Sequence, residues 1–199
     1  MAVVALTAFR GDGTGTPIRD GFVIPQGELW VFGYGSLMWD PCFAHDHASP
    51  ALLRGYHRAF CVYSVRYRGT HDQPGLVLGL NHGGACRGIA FRVPAAQVAK
   101  AVDDLWAREM PRALYVPRSV RIALAGGTVS ALAFVANTAH EHYIGDMAFD
   151  DTARIIAHRS GLRGSNHDYL HNTLQHLRAL GVRDRALERL HQRVCELRG

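Results

Sequence analysis

Val31-Phe32-Gly33-Tyr34-Gly35-Ser36-Leu37-Met38 is the stretch on which the reading of the fold turns. The short apolar run Leu29–Phe32 ends abruptly in Gly-Tyr-Gly-Ser, the pattern of a buried strand feeding a tight loop. A dinucleotide fingerprint would need a third glycine where Met38 stands and a helix straight after, and Asp40-Pro41 interrupts instead. A nucleophile elbow would need glycine two residues either side of Ser36, where Tyr34 and Met38 stand. Two readings remain. The backbone N–H groups of the loop face a cavity and form a concave anion site, or the glycines serve only the geometry of a strand end.

Outward from that loop, the pattern divides into early strands and late helices. Residues 51–66 read as one long strand or a broken pair. Leu76–Leu80 and Ile89–Val93 read as strands separated by a turn at Asn81-His82-Gly83-Gly84. Val120–Leu124 and Val129–Val135 flank Ala125-Gly126-Gly127-Thr128 as a hairpin. A helix is expected over 95–109, after Pro94 and before Pro111. A second is capped by Asp150 or Asp151 and ends near Gly161. A third is capped by Asn166 and runs to Gly181 with Leu170, Leu174 and Leu177 on one face, and a last one starts at Asp184. The class is α+β.

The 199 residues (21.9 kDa) fit one domain, read as 29–199 behind a Gly/Pro-punctuated leader over 1–28. The net charge of +5 raises nucleic acid as a partner. Yet every basic residue except Lys100 is arginine, and the arginines of the last helix alternate with Asp184, Glu188 and Glu196 and lack aromatics for stacking bases. Neither nucleic acid, nor membrane, nor an obligate protein partner is expected. Cys42, Cys61, Cys86 and Cys195 form no C-x-x-C pair, so zinc-ribbon and thioredoxin motifs are excluded. Free thiols, no run of ~18 apolar residues and a start lacking a basic n-region fit a cytoplasmic protein. Among the 12 histidines, His167 and His171 share a helix face, but no third ligand is visible beside them, and no metal is expected. His71 is a candidate for the mouth of a site.

Val98, Val102, Leu105 and Glu109 fall on one face of the helix over 95–109, so a carboxylate projects where the core ought to be. Burial and the negative end of the helix dipole both push its pKa upward, as a general base near neutral pH requires. The alternative is a frayed end that leaves Glu109 paired with Arg108 or Arg112 at the surface.

Taken together, Val31–Trp39 (VFGYGSLMW) and Leu105–Met110 (LWAREM) resemble the ChaC branch of the γ-glutamylcyclotransferases. Arg68-Gly69-Thr70 with Pro74-Gly75, Gly88–Arg92, Tyr143 and Gly161…Asn166…Tyr169-Leu170 extend the likeness over roughly 29–181. The resemblance implies a compact mixed β-barrel flanked by helices, no cofactor, and cleavage of glutathione to 5-oxoproline and cysteinylglycine. It also implies Glu109 as the catalytic residue. Gly33, Tyr34, Gly35, Ser36, Leu37 and Met38 would bind the γ-glutamyl part, and Tyr143 would be a further substrate contact. Met110-Pro111-Arg112 stands where eukaryotic relatives continue with Lys-Gly-Gly-Tyr, which bears on substrate preference. Action on other γ-glutamyl amines, or γ-glutamyl binding without catalysis, are the alternatives.

Overall fold

The structure, a computed structural model, describes residues 10–11 and 17–199. Expectations for the leader at 1–9 and 12–16 lie outside the described residues. Its elements are β1 (Arg10–Gly11), β2 (Pro17–Arg19), β3 (Phe22–Val23), β4 (Leu29–Gly33), β5 (His47–Ser64), β6 (Gly75–Val93), α1 (Val98–Glu109), β7 (Tyr115–Leu124), β8 (Gly127–Ala136), α2 (Phe149–His158), β9 (Ser160–Gly161), β10 (Gly164–Ser165), α3 (Asn166–Ala179) and α4 (Arg185–Arg198). Five strands close a barrel in the order β4-β6-β5-β7-β8. Every pairing in it is antiparallel except the parallel closure of β4 on β8, where Trp30 and Val31 meet Ala131 and Leu132. The barrel is therefore mixed, and the helices flank it.

Residues 47–64 form one strand, bulged between Arg54 and Tyr56 and again between Phe60 and Val62. The turn expected at Asn81–Gly84 is absent, because β6 runs unbroken from Gly75 to Val93 along the same partner. Gly55, Gly83 and Gly84 have φ of +85°, +94° and +68°, so the glycines absorb a bulge in a two-stranded ribbon rather than reverse the chain. The β7–β8 hairpin forms where expected.

The helix boundaries differ locally from the sequence reading. A 3-10 turn at Ala95–Gln97 precedes α1. Helix α2 ends at His158, since Arg159 is extended and Ser160–Gly161 pair with Gly164–Ser165. Asp150 and Asp151 occupy its first turn and do not cap it. The cap of α3 is Ser165, whose Oγ accepts from the Asp168 N–H at 3.0 Å. Asn166 is instead fully buried, its amide bonded to both the N–H and the carbonyl of Leu76, which pins α3 to β6. Asp184 does cap α4, accepting from Leu187 N–H at 3.1 Å.

One apolar cluster joins the barrel to α1 through Val98, Val102 and Leu105, to α3 through Leu170, Leu174 and Leu177, and to α4 through Leu187, Leu190 and Val194. The leader segment contributes as well. Phe22 and Ile24 are in that cluster, Asp20 accepts from Trp106 Nε1 at 2.6 Å, and Arg19 pairs with Asp103 at 2.6 Å.

Candidate active site

Strand β4 delivers the chain to Gly33, where a Cβ would stand 3.2 Å from Phe91 and 3.3 Å from Leu37. Glycine at that position serves close packing. Gly35 differs, because its nearest outside atom would be the Tyr169 hydroxyl at 3.9 Å, across a cavity. Ser36–Met38 then form a 3-10 turn in which the Met38 amide bonds to the Gly35 carbonyl, and the Trp39 and Asp40 amides to Ser36. The first amides of such a turn have no carbonyl partner within it.

The loop is held from three sides. The Tyr34 hydroxyl donates to the Phe134 carbonyl at 2.8 Å. Arg58, with a side chain 2% exposed, donates to the Tyr34 carbonyl, to the Arg87 carbonyl and to Asp184 at the start of α4. Arg108 donates to Ser36 Oγ at 2.9 Å and to the Asp40 carbonyl at 2.6 Å. A loop fixed in this way keeps its amide directions without reorganisation.

Glu109 lies on the last turn of α1 and its side chain is 16% exposed. Its Oε1 is 3.3 Å from Arg108 Nε, so the pairing that belonged to the frayed-end alternative does occur, but inside a cavity and not at the surface. Burial pushes the Glu109 carboxyl up, and the Arg108 charge only partly opposes this. Tyr34, Gly35, Ser36, Leu37, Leu78, Tyr115, Phe134 and Tyr169 complete the walls of that cavity. Among the residues expected from sequence, Tyr34, Gly35, Ser36, Leu37 and Glu109 are brought together there. Gly33 and Met38 are packed behind them in the core.

Tyr143 is placed elsewhere. Its hydroxyl donates to Asn81 Oδ1 at 2.7 Å, and its backbone bridges Val62. It packs on Cys61, Val62 and Ala136 and lines neither the cavity nor the cleft outside it. His71 likewise lines neither and is 94% exposed.

The cavity opens, past Ser36, Glu109, Tyr115 and Tyr169, into a cleft of about 370 Å³. Its rim carries Arg68, Arg112 and Arg163 around Tyr67, with the Arg163 guanidinium 4.5 Å and the Arg112 guanidinium 5.5 Å from that ring. Arg68 lies 4.9 Å over the Tyr169 ring. Trp39 and His176 stack at 4.5 Å on the same wall. Burial pushes the Tyr169 phenol up to about 12 and raises Tyr34 and Tyr115 well above the usual phenol range, so all three remain neutral. Asp40 and Glu109 are the carboxylates of the cleft lining, and Arg108 bonds to both, so the carboxylates already have a resident cation.

Periodicity gives no hint of Tyr115 or of Arg163, because strand and loop residues reach this wall only through barrel closure and the β9–β10 ribbon. Tyr169 had a signal in the α3 pattern, where it precedes the buried Leu170.

A model of the family described as ChaC-like protein matches residues 29–197. The glutathione-specific γ-glutamylcyclotransferase of Escherichia coli (strain K12) is 39% identical over 173 residues, covering 86% of this chain and 75% of that one. The glutathione-specific γ-glutamylcyclotransferase of Schizosaccharomyces pombe is 34% identical, covering 78% and 86% respectively. Among solved structures, the glutathione-specific γ-glutamyl cyclotransferase from yeast superposes with a TM-score of 0.78 at 23% identity, over 86% of this chain and 97% of that one.

Proposed function

The chain belongs to the ChaC-like protein family, and from that premise we infer that it is a lyase that cleaves glutathione to 5-oxoproline and cysteinylglycine. The observation that carries the mechanism is the half-buried Glu109, its carboxyl raised by burial, in one cavity with the pinned Gly35–Leu37 loop.

The nucleophile belongs to the substrate. The α-amino nitrogen of the γ-glutamyl unit attacks its own γ-carbonyl carbon, forming the lactam C–N bond. The bond to the cysteinyl nitrogen then breaks. Tethering of both reacting groups supplies the proximity. The amine enters as an ammonium, and Glu109 takes its proton. The carbonyl oxygen gains charge as the tetrahedral centre forms, and the amides of Gly35, Ser36 and Leu37 are its donors. The Met38 amide is already committed to Gly35. Bond formation leaves the attacking nitrogen positively charged with two hydrogens. Glu109 gives its first proton to the departing cysteinyl nitrogen and takes the second from the ring nitrogen. It passes that second proton to the released amine, which leaves as an ammonium and restores the Glu109 carboxylate. Transfer by one carboxylate in both directions contributes roughly 10²–10⁴-fold.

Arg108 positions this machinery by bonding Ser36 and Glu109 together. Arg68, Arg112 and Arg163 at the cleft rim complement the carboxylates of glutathione. Among the described residues no helix is long and apolar enough to cross a membrane. With Cys42, Cys61, Cys86 and Cys195 all free thiols, the protein is assigned to the cytoplasm, where glutathione is abundant and reduced.

Purified protein incubated with glutathione or γ-glutamyl-alanine, with 5-oxoproline followed by chromatography, tests this reading. Release from glutathione is expected. Release from γ-glutamyl-alanine alone moves the chain to another substrate, and release from neither leaves only a γ-glutamyl-binding role.

A further inference from the structure

Helix α3 presents two faces. Tyr169, Asn172 and His176 look into the cleft. His167 and His171, one turn apart, look towards α4, where His191 and Cys195 are also one turn apart. The helices form a hairpin, so the start of α3 meets the far part of α4. The ring centroids of His167 and His191 lie 5.6 Å apart and those of His171 and His191 5.2 Å. A ligand atom from each of His167, His191 and Cys195 lies within 4.8 Å of the others. The Cys195 sulfur is 3.9 Å from both His191 ring nitrogens, and His171 Nδ1 is 3.1 Å from His191 Nε2.

These separations are close to what a tetrahedral zinc ion demands. With metal–nitrogen bonds of about 2.0–2.1 Å and metal–sulfur bonds of about 2.3 Å, neighbouring ligand atoms stand about 3.3–3.8 Å apart. Imidazole and thiolate together select a borderline-soft cation and disfavour magnesium or calcium. His167 Nδ1 already lies 3.1 Å from the Asp168 carboxylate, which holds the ring and leaves Nε2 to the ion. Sequence reading missed the arrangement because its four members come from two helices that only the α3–α4 hairpin brings together.

We propose that the α3–α4 face is a zinc-class cation site, with His167, His191 and Cys195 as ligands and His171 as the fourth. The site is separate from the cleft and does not depend on the assigned reaction. A cation there ties α3 to α4 and so braces the helix whose opposite face carries Tyr169.

The test uses the full chain, stripped of metal and kept in a non-chelating phosphine reductant without glutathione. Co²⁺ is added and the visible and near-ultraviolet spectra are followed. Zn²⁺ affinity is read by competition with a chromophoric chelator. The wild type should take up a single equivalent with a thiolate-to-cobalt charge-transfer band, and Zn²⁺ should raise its melting temperature. Cys195→Ser should abolish the band and weaken Zn²⁺ by about 10-fold or more, whereas Cys42→Ser and His71→Ala should change neither. A wild type without the band, or a band that survives in Cys195→Ser, overturns the proposal. So does a Zn²⁺ affinity that is the same in wild type and His191→Ala.

Discussion

Helix α1 carries carboxylates on two faces and treats them in opposite ways. Asp103 is 68% exposed and pairs with Arg19, and Asp104 pairs with Lys100 one turn back. Glu109 sits on the stripe of Val98, Val102 and Leu105, where burial raises its carboxyl and Arg108 offsets the cost only partly. The Asp103 carboxyl stands mostly in water and Asp104 pairs along the outer helix face, and such pairs contribute about 0–1 kcal/mol each. Glu109 holds a proton more readily because the fold withholds water from it. The same residue chemistry is structural on one face and, in the proposed mechanism, catalytic on the other, and position relative to the apolar stripe separates the two.

The strongest break of that contrast is Glu109→Gln, which should lower the turnover of glutathione by roughly 10²–10⁴-fold, read as 5-oxoproline released. Stability should move the other way. A carboxyl with a folded pKa above its unfolded value takes up protons on folding, so stability falls as pH rises between the two values. At neutral pH the folded state bears an unfavourable charge that glutamine lacks, and Glu109→Gln should raise the melting temperature by calorimetry. A lowered one would mean that the pair with Arg108 outweighs burial.

Arg108→Met comes next. Losing the guanidinium releases Ser36 and removes the charge that lowers the Glu109 pKa. The acidic limb of the kcat/KM profile should then shift to higher pH, since Glu109 must be ionised to accept the ammonium proton. A loss of turnover without that shift would confine Arg108 to holding the loop. Gly35→Val should weaken glutathione binding, because its branched side chain fills the space towards the Tyr169 hydroxyl, and calorimetric titration reads it. Asp103→Asn should have the smallest effect, about 0–1 kcal/mol of stability and turnover unchanged.

The two faces of α1 were legible in sequence because a single helix writes both at one period. The glycine loop was legible as a loop for a similar reason, since the apolar run stops at Phe32. What was not legible depends on partners remote in sequence. Asn81–Gly84 reads as a turn locally, yet β5 runs alongside it and holds the chain straight. Asn166 has the composition of a cap, but bonding to Leu76 uses its side chain in the interior. Tyr143 falls within the family likeness but bonds to Asn81 outside the cleft, and the aromatic wall is built by Tyr115 and Tyr169. The arginines of the rim come from three separate segments, so their convergence is a property of barrel closure and not of any motif.

The central claim is that Glu109 moves the proton and does not merely shape the cavity. Glutathione binding and 5-oxoproline release, measured side by side on wild type and Glu109→Gln, separate the two. The account predicts that the variant binds glutathione with an affinity close to wild type and releases 5-oxoproline roughly 10²–10⁴-fold more slowly. Near wild-type release by Glu109→Gln would contradict it.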